Sequence, residues 1–207
     1  MTVRADTPPV LVLAHGAGAG AASPFMRRMT TALEAEGIAV LRFDFAYMQK
    51  ALETGRRRPP PRVDKLVGEL RSALERLCPE GPVFIGGKSM GGRVAAMLAG
   101  VEDCPQRVRG CVCVGYPLHP PSQPDKLRLA PLLEARRPVL VCQGERDVFG
   151  TRAEIETMDW PEHMSWQFLA DGSHDLGPTG RSEATLKGNI DRAAKAVRAF
   201  MASQPLR

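Results

Sequence analysis

Aromatic residues are scarce, long apolar runs are missing, and no two cysteines are set for a metal or redox motif. Each shortage removes a class of protein. Aromatics make up 5% of the 207 residues, too few to interleave a basic patch as nucleic-acid-binding surfaces do. No apolar run approaches the ~20 residues that a membrane-crossing helix needs. The stretch Met1-Thr-Val-Arg-Ala-Asp-Thr-Pro-Pro9 has no apolar core of the secretory type. The five cysteines are an odd number and none falls in C-x-x-C. Cys111 and Cys113 stand two apart in an apolar run, so on a strand they point the same way and are poorly placed to bridge each other. Reduced thiols, no bound metal and a cytoplasmic location are the expectation.

Acidic residues are also in slight deficit. The net charge of +5 comes mainly from arginines spread along the chain, with one cluster at Arg56-Arg57-Arg58. Without aromatic neighbours that cluster reads as a solvated loop, and an acidic partner or anionic substrate is the other reading. Neither nucleic acid nor membrane is expected as a partner.

What the chain does have is the stretch Pro82-Val-Phe-Ile-Gly-Gly-Lys-Ser-Met-Gly-Gly-Arg93. Val83-Phe84-Ile85 is a short buried strand, and Val94 to Ala99 is a small-residue helix. Between them Gly87-Lys88-Ser89-Met90-Gly91 matches G-x-S-x-G. A strand that turns sharply into a helix can lift one hydroxyl out on a strained backbone. Glycines must flank it, because side chains there would meet the neighbouring strand and helix. The bland reading is a glycine-rich turn with an incidental serine.

Around this stretch, apolar runs alternate with helical periods. Pro9–Ala14 is a strand covered on both faces. It breaks into His15-Gly-Ala-Gly-Ala-Gly20. Ser23-Pro24 then caps a helix that Gly37 stops. Ile38–Phe43 is a second strand extending toward Tyr47, and Met48 to Arg62 reads as a loop. Val63, Leu66, Val67, Leu70, Leu74 and Leu77 mark an amphipathic helix, ended by Pro79 and Gly81. Val108–Tyr116, Pro138–Gln143 and Ser165–Leu169 are further strands. Short helices are expected at Leu127–Leu133 and Ala153–Met158, and a closing helix follows from Leu186. Six strands alternating with helices predict one domain, an α/β fold with a mostly parallel six-stranded sheet flanked by helices on both faces.

In such sheets functional residues gather at the C-terminal ends of the strands. Those ends here carry Ser89, Asp147 and His174. A serine hydroxyl needs a base, which His174 supplies. The imidazole needs its tautomer and charge fixed by a carboxylate. Asp147 is the favoured acid and Glu145, two residues earlier, the alternative; Asp171 and Asp175 flank His174 too closely in sequence. The backbone N–H of Met90 and that of Ala17, in the loop after the first strand, are the expected oxyanion donors. Losing one such donor typically costs roughly 3 kcal/mol of barrier. Gly16, Gly18 and Ala21 also approximate G-x-G-x-x-G/A, with Glu36 and Asp44 downstream, so a nucleotide loop is a minor alternative. His15 reads as structural, His119 and His163 as loop residues, and Lys88 as a solvated or packing side chain that could meet an anionic substrate.

His15-Gly-Ala-Gly18, Arg42-Phe-Asp-Phe-Ala-Tyr47, Gly86-Gly-Lys-Ser-Met-Gly-Gly-Arg93, Gly115-Tyr-Pro-Leu-His-Pro120, Gly144-Glu-Arg-Asp147 and Gly172-Ser-His174 together resemble the α/β-hydrolase superfamily. More narrowly they resemble a family of small hydrolases related to dienelactone hydrolases, which includes a subunit of a chromatin acetyltransferase complex. The resemblance implies a Ser-Asp-His hydrolase on a minimal α/β-hydrolase fold. The antiparallel strands that usually open that sheet are missing, and there is no room for a large cap. It also raises a second reading, a catalytically silent scaffold. Dienelactone hydrolases use a cysteine nucleophile where this chain has Ser89, so their substrate does not carry over. The expectation is a serine esterase or thioesterase for a small acyl substrate, needing no cofactor, with loops Met48–Arg62 and Pro117–Pro124 shaping its pocket.

Overall fold

Alternate residues of the first strand, β1 (Val10–Ala14), enter two different cores. In the computed structural model, which describes residues 8–78 and 80–205, Val12 and Ala14 join one apolar cluster, and Leu11 and Leu13 join the other. The period of two puts successive side chains on opposite faces, so a strand without polar positions must be covered twice. β3 (Val83–Lys88) and β5 (Val139–Gly144) are buried at every residue for this reason.

With β2 (Ala39–Phe43), β4 (Val108–Val114) and β6 (Met164–Leu169) these strands form one sheet in the order β2-β1-β3-β4-β5-β6. Every pairing is parallel. One face packs α1 (Pro24–Ala35) through Met26, Met29 and Leu33, and α7 (Leu186–Ser203) through Ile190, Ala193, Ala194 and Val197. The other packs α3 (Val63–Leu77), α4 (Met90–Gly100) and two single-turn helices, α5 (Ala130–Leu133) and α6 (Arg152–Ile155). No separate cap covers the sheet among the described residues. From β1 the chain moves outward to β2, then returns to β3 on the other side of β1. Loops leaving β1 and β3 therefore diverge, which opens a crevice at their C-terminal ends.

Several details differ from the sequence reading, the short helices α5 and α6 among them, each a single turn rather than the longer stretch expected. The segment 46–54 is a helix, α2 (Ala46–Thr54), closed by Gly55 at φ 63°. Only Met48 of it is buried, so no apolar stripe betrays it. β2 stops at Phe43 rather than running toward Tyr47. Phe43, Phe45 and Tyr47 mimic a strand period, but Phe45 is the extended residue that caps α2, and its ring packs edge-on against Phe43 and His15. At the start of α1, Pro24 holds the first position as expected, while the Ser23 hydroxyl makes no cap bond. Pro79 lies outside the described residues. All five cysteines are buried and free, with the sulfurs of Cys111 and Cys113 3.9 Å apart on one face.

Candidate active site

Ser89 stands at the end of β3 with φ 52° and ψ −115°, a conformation costing a non-glycine residue about 1–3 kcal/mol. The surroundings hold it there. Its N–H donates to the Val114 carbonyl at 2.9 Å, and its carbonyl accepts from Arg93 N–H at 3.1 Å. α4 starts at the next residue, Met90, four residues before the sequence period begins. The turn is closed so tightly that a Cβ on Gly87 would lie 2.3 Å from the Gly91 carbonyl carbon. One on Gly91 would lie 2.6 Å from the carbonyl oxygens of both Ala14 and His15. Both glycines are thus required by backbone approach, as the motif predicts.

Two strands away, the loop after β6 brings His174 to the loop after β5. Asp147 Oδ2 lies 2.8 Å from His174 Nδ1. The carboxylate is fully buried and the imidazole is 21% exposed, so the pair is shielded from behind and open in front. Asp147 Oδ1 accepts from Phe149 N–H at 2.9 Å, and Oδ2 accepts from the Gln143 amide at 3.0 Å. Gln143 escaped the sequence reading. It sits wholly buried at the end of β5, and its amide spans Tyr116, Gly150 and Asp147. Its one signal is a polar residue inside an apolar strand run, four positions before Asp147. The Phe149 ring, 4.4 Å from that of His174, adds an apolar wall. Glu145 points elsewhere: it accepts Asp171 N–H and pairs with Arg152 at 2.9 Å. Those donors hold its carboxyl below the usual range.

The loop after β1 is anchored from behind. His15 Nδ1 donates to the Gly16 carbonyl at 2.6 Å, and Nε2 accepts from Phe45 N–H at 3.1 Å. A carbonyl only accepts and an amide N–H only donates, so these bonds fix the neutral Nδ1–H tautomer. Burial agrees, pushing the His15 pKa below its ordinary value. Tyr47 adds a bond from its hydroxyl to the Ala17 carbonyl at 3.0 Å. Burial first, then the Asp44 and Glu69 carboxylates, raise that phenol to about 12. In a trans peptide the carbonyl and the following N–H point opposite ways. Tying the Gly16 carbonyl to His15 therefore turns the Ala17 N–H away from it. The Asp44 carboxylate accepts from Ala21 N–H at 2.7 Å, a donor that a phosphate in this loop would otherwise use.

Ser89, His174, Ala17 and Gly18 all line one cleft of about 540 Å³, together with Phe25 and Lys88. Ser89 and His174 share it without a hydrogen bond between them among the described residues. The expected walls are not the observed ones. Residues 48–62 and 117–124 do not line this cleft; the first turn of α1 and Phe149 do. Lys88 is not solvated either. It is 6% exposed, its ammonium lies 3.1 Å from Asp175 Oδ1 and 5.3 Å from the centre of the Phe25 ring. Burial pulls its pKa down, with Asp175 opposing. Among the described residues no group of three or more potential ligands could hold a metal ion. No helix of the described chain is long and apolar enough to cross a membrane.

A strained serine at a strand–helix turn, with a histidine–aspartate pair on neighbouring ends of an all-parallel sheet, is the arrangement of the α/β hydrolases. The chain belongs to the alpha/beta hydrolase domain family, whose model matches residues 7–202. Solved structures share the fold. A dienelactone hydrolase from Anabaena variabilis is 21% identical with a TM-score of 0.66, over 98% of this chain and 89% of that one. Est1E from Butyrivibrio proteoclasticus, with ferulic acid bound, is 14% identical at 0.66, over 97% and 91%. A monoacylglycerol lipase from Paleococcus ferrophilus is 15% identical at 0.62, over 95% and 96%. At these identities the likeness is one of fold.

Proposed function

We propose that the protein is a serine hydrolase that cleaves a carboxylic ester or thioester through an acyl-enzyme. The observation that carries this reading is the 2.8 Å bond from His174 to the buried Asp147, in a cleft that Ser89 also lines. Asp147 engages Nδ1, which leaves Nε2 free to take the Ser89 proton as Oγ attacks the acyl carbon. The imidazolium formed is stabilised by Asp147. The carbonyl oxygen becomes an oxyanion and accepts from the N–H groups of Ala17 and Met90. Collapse expels the alcohol or thiol, which takes the proton from His174. Water then attacks the acyl-enzyme with His174 again as base, releasing the acid and Ser89.

The names of the structural neighbours, a dienelactone hydrolase and a monoacylglycerol lipase among them, support the same class of chemistry. A cleft of about 540 Å³ with no cap over it among the described residues suits a small or medium acyl group. Five buried, unpaired thiols fit a reducing compartment such as the cytoplasm. The test is labelling with a fluorophosphonate, followed by turnover of short p-nitrophenyl esters. The folded protein should react and Ser89→Ala should not. A folded protein that neither labels nor turns over any ester would sink the reading and leave an interaction scaffold in its place.

A further inference from the structure

Three arginines that these chemical steps leave unused stand beside the loop that carries Ala17. Arg56, Arg57 and Arg58 follow Gly55 at the end of α2, and all three are exposed. Charges near them in sequence are paired: Lys50 with Glu53 at 3.4 Å, and Arg62 with Asp64 at 3.2 Å. Among the described residues Arg56, Arg57 and Arg58 form no ion pair and no side-chain hydrogen bond. With Met48, Ala51 and Leu52 they line a groove of about 300 Å³ that Ala17 and Gly18 also line. Those two residues also line the cleft over Ser89. Groove and cleft therefore adjoin at these two residues, which belong to the loop proposed to hold the oxyanion.

Groove and cleft differ in charge. In the cleft, the Lys88 ammonium already has the Asp175 carboxylate. In the groove, no carboxylate is among the lining residues, and three guanidinium groups are unmatched. The carbonyls at the end of α2 attract cations, but that accounts for a positive residue after the helix and not for three facing a groove. Guanidinium groups match phosphate oxygens with paired donors. Apolar Met48, Ala51 and Leu52 suit the neutral linker between a phosphate and the reacting carbonyl.

We propose that this groove receives a phosphate carried by the substrate, so that the natural ester or thioester is one that bears a phosphate. The proposal deepens the serine-hydrolase reading and rests on it. The test compares butyryl-coenzyme A with butyryl-N-acetylcysteamine, the same thioester without phosphates, in the wild type and in Arg56→Gln/Arg57→Gln/Arg58→Gln. All three side chains are exposed, so the variant should fold, which its thermal unfolding checks. The wild type should favour the coenzyme A thioester in kcat/KM. Exposed ion pairs are individually weak, so removing three should cut that preference roughly tenfold. Added salt should shrink it in the wild type.

Equal kcat/KM for the two thioesters, or a preference that the variant keeps, overturns the groove and leaves the hydrolase reading standing. If neither thioester is turned over, calorimetry with coenzyme A on the Ser89→Ala protein decides. Binding weakened by the three substitutions supports the site, and absent or unchanged binding overturns it. Inorganic pyrophosphate distinguishes the source of the anion. If it binds as tightly as coenzyme A while the thioester preference is missing, the groove holds a free anion and the substrate claim fails.

Discussion

Replacing Gln143 with methionine should cost about 2 kcal/mol of stability, from two buried backbone groups left unpaired, the Tyr116 N–H and the Gly150 carbonyl, since the Tyr116 carbonyl keeps the Leu118 N–H at 3.1 Å. The Gln143 amide oxygen accepts Tyr116 N–H at 2.8 Å, and its nitrogen donates to Tyr116 and Gly150 carbonyls and to Asp147 at 3.0–3.2 Å. Methionine keeps the length and the burial but none of the bonds. Each buried, unpaired polar group costs about 1–3 kcal/mol, and the low end applies because the loop around Gly150 can relax. For a chain of this size that is a fall in Tm of roughly 4–8 °C. The second effect is on catalysis. Asp147 keeps Phe149 N–H on Oδ1 and His174 on Oδ2 but loses the Gln143 amide, the second of the two donors to Oδ2. Gln143 does not line the cleft, so kcat should fall while KM holds. Thermal unfolding and ester kinetics on the purified variant measure both. A Tm within about 2 °C of wild type with unchanged kcat would refute the claim that the amide is what positions the carboxylate.

Two further predictions follow from buried bases. His15 is held neutral with its pKa lowered from 6.5. Below 6.5 the unfolded chain takes up a proton that the folded one refuses, so stability is full above 6.5 and is lost as pH falls toward the folded value. His15→Asn should lack this slope in unfolding measured from pH 7 downward, and an equal slope in both proteins would remove the assignment. Lys88 has its pKa lowered by burial, so its charge is a cost in the folded state that fades as pH rises from the folded pKa toward the ordinary value. Lys88→Met should therefore unfold at a higher temperature than wild type near neutral pH, with the gap closing in alkali. A variant less stable at neutral pH would show that the ion pair outweighs the burial.

How much of this was legible beforehand depended on which interactions are local. The turn at Ser89 was readable because its constraints are packed into five residues: Gly87 and Gly91 have no room for side chains, and the strand and helix lie directly either side. Asp147 and His174 were readable because each follows a strand by a few residues, and parallel topology brings strand ends together. His174 meets the carboxylate of Asp147, and Glu145 meets Arg152 and Asp171 N–H instead. The cleft walls were not readable. They depend on where the first turn of α1 sits relative to β3, which is a matter of packing between elements distant in sequence. α2 was hidden for a related reason, since a helix burying one residue leaves no period to find. Gln143 shows a third kind of silence. A buried amide is chosen for the partners around it, and those partners lie on three separate loops.

Lys88 was the residue that the sequence left without a role, and the fold makes its presence a problem of energy. A buried ammonium is a poor choice beside apolar Phe25 when methionine would fill the same space without desolvation. The ion pair does not repay this fully, because Asp175 is 73% exposed and exposed partners contribute little. What the pair does is mechanical. Lys88 immediately precedes Ser89, and Asp175 immediately follows His174, so the 3.1 Å bond ties the strand end that carries Ser89 to the loop that carries His174. An added Cβ on Gly115 would stand 3.2 Å from the Lys88 nitrogen and 3.3 Å from His174 Nδ1, which places the ammonium against the imidazole's own turn. With no cap among the described residues to press on His174, this strut adds to the hold that Asp147 and Phe149 already have on it. A stability cost accepted beside a candidate catalytic histidine is what selection for geometry would leave behind.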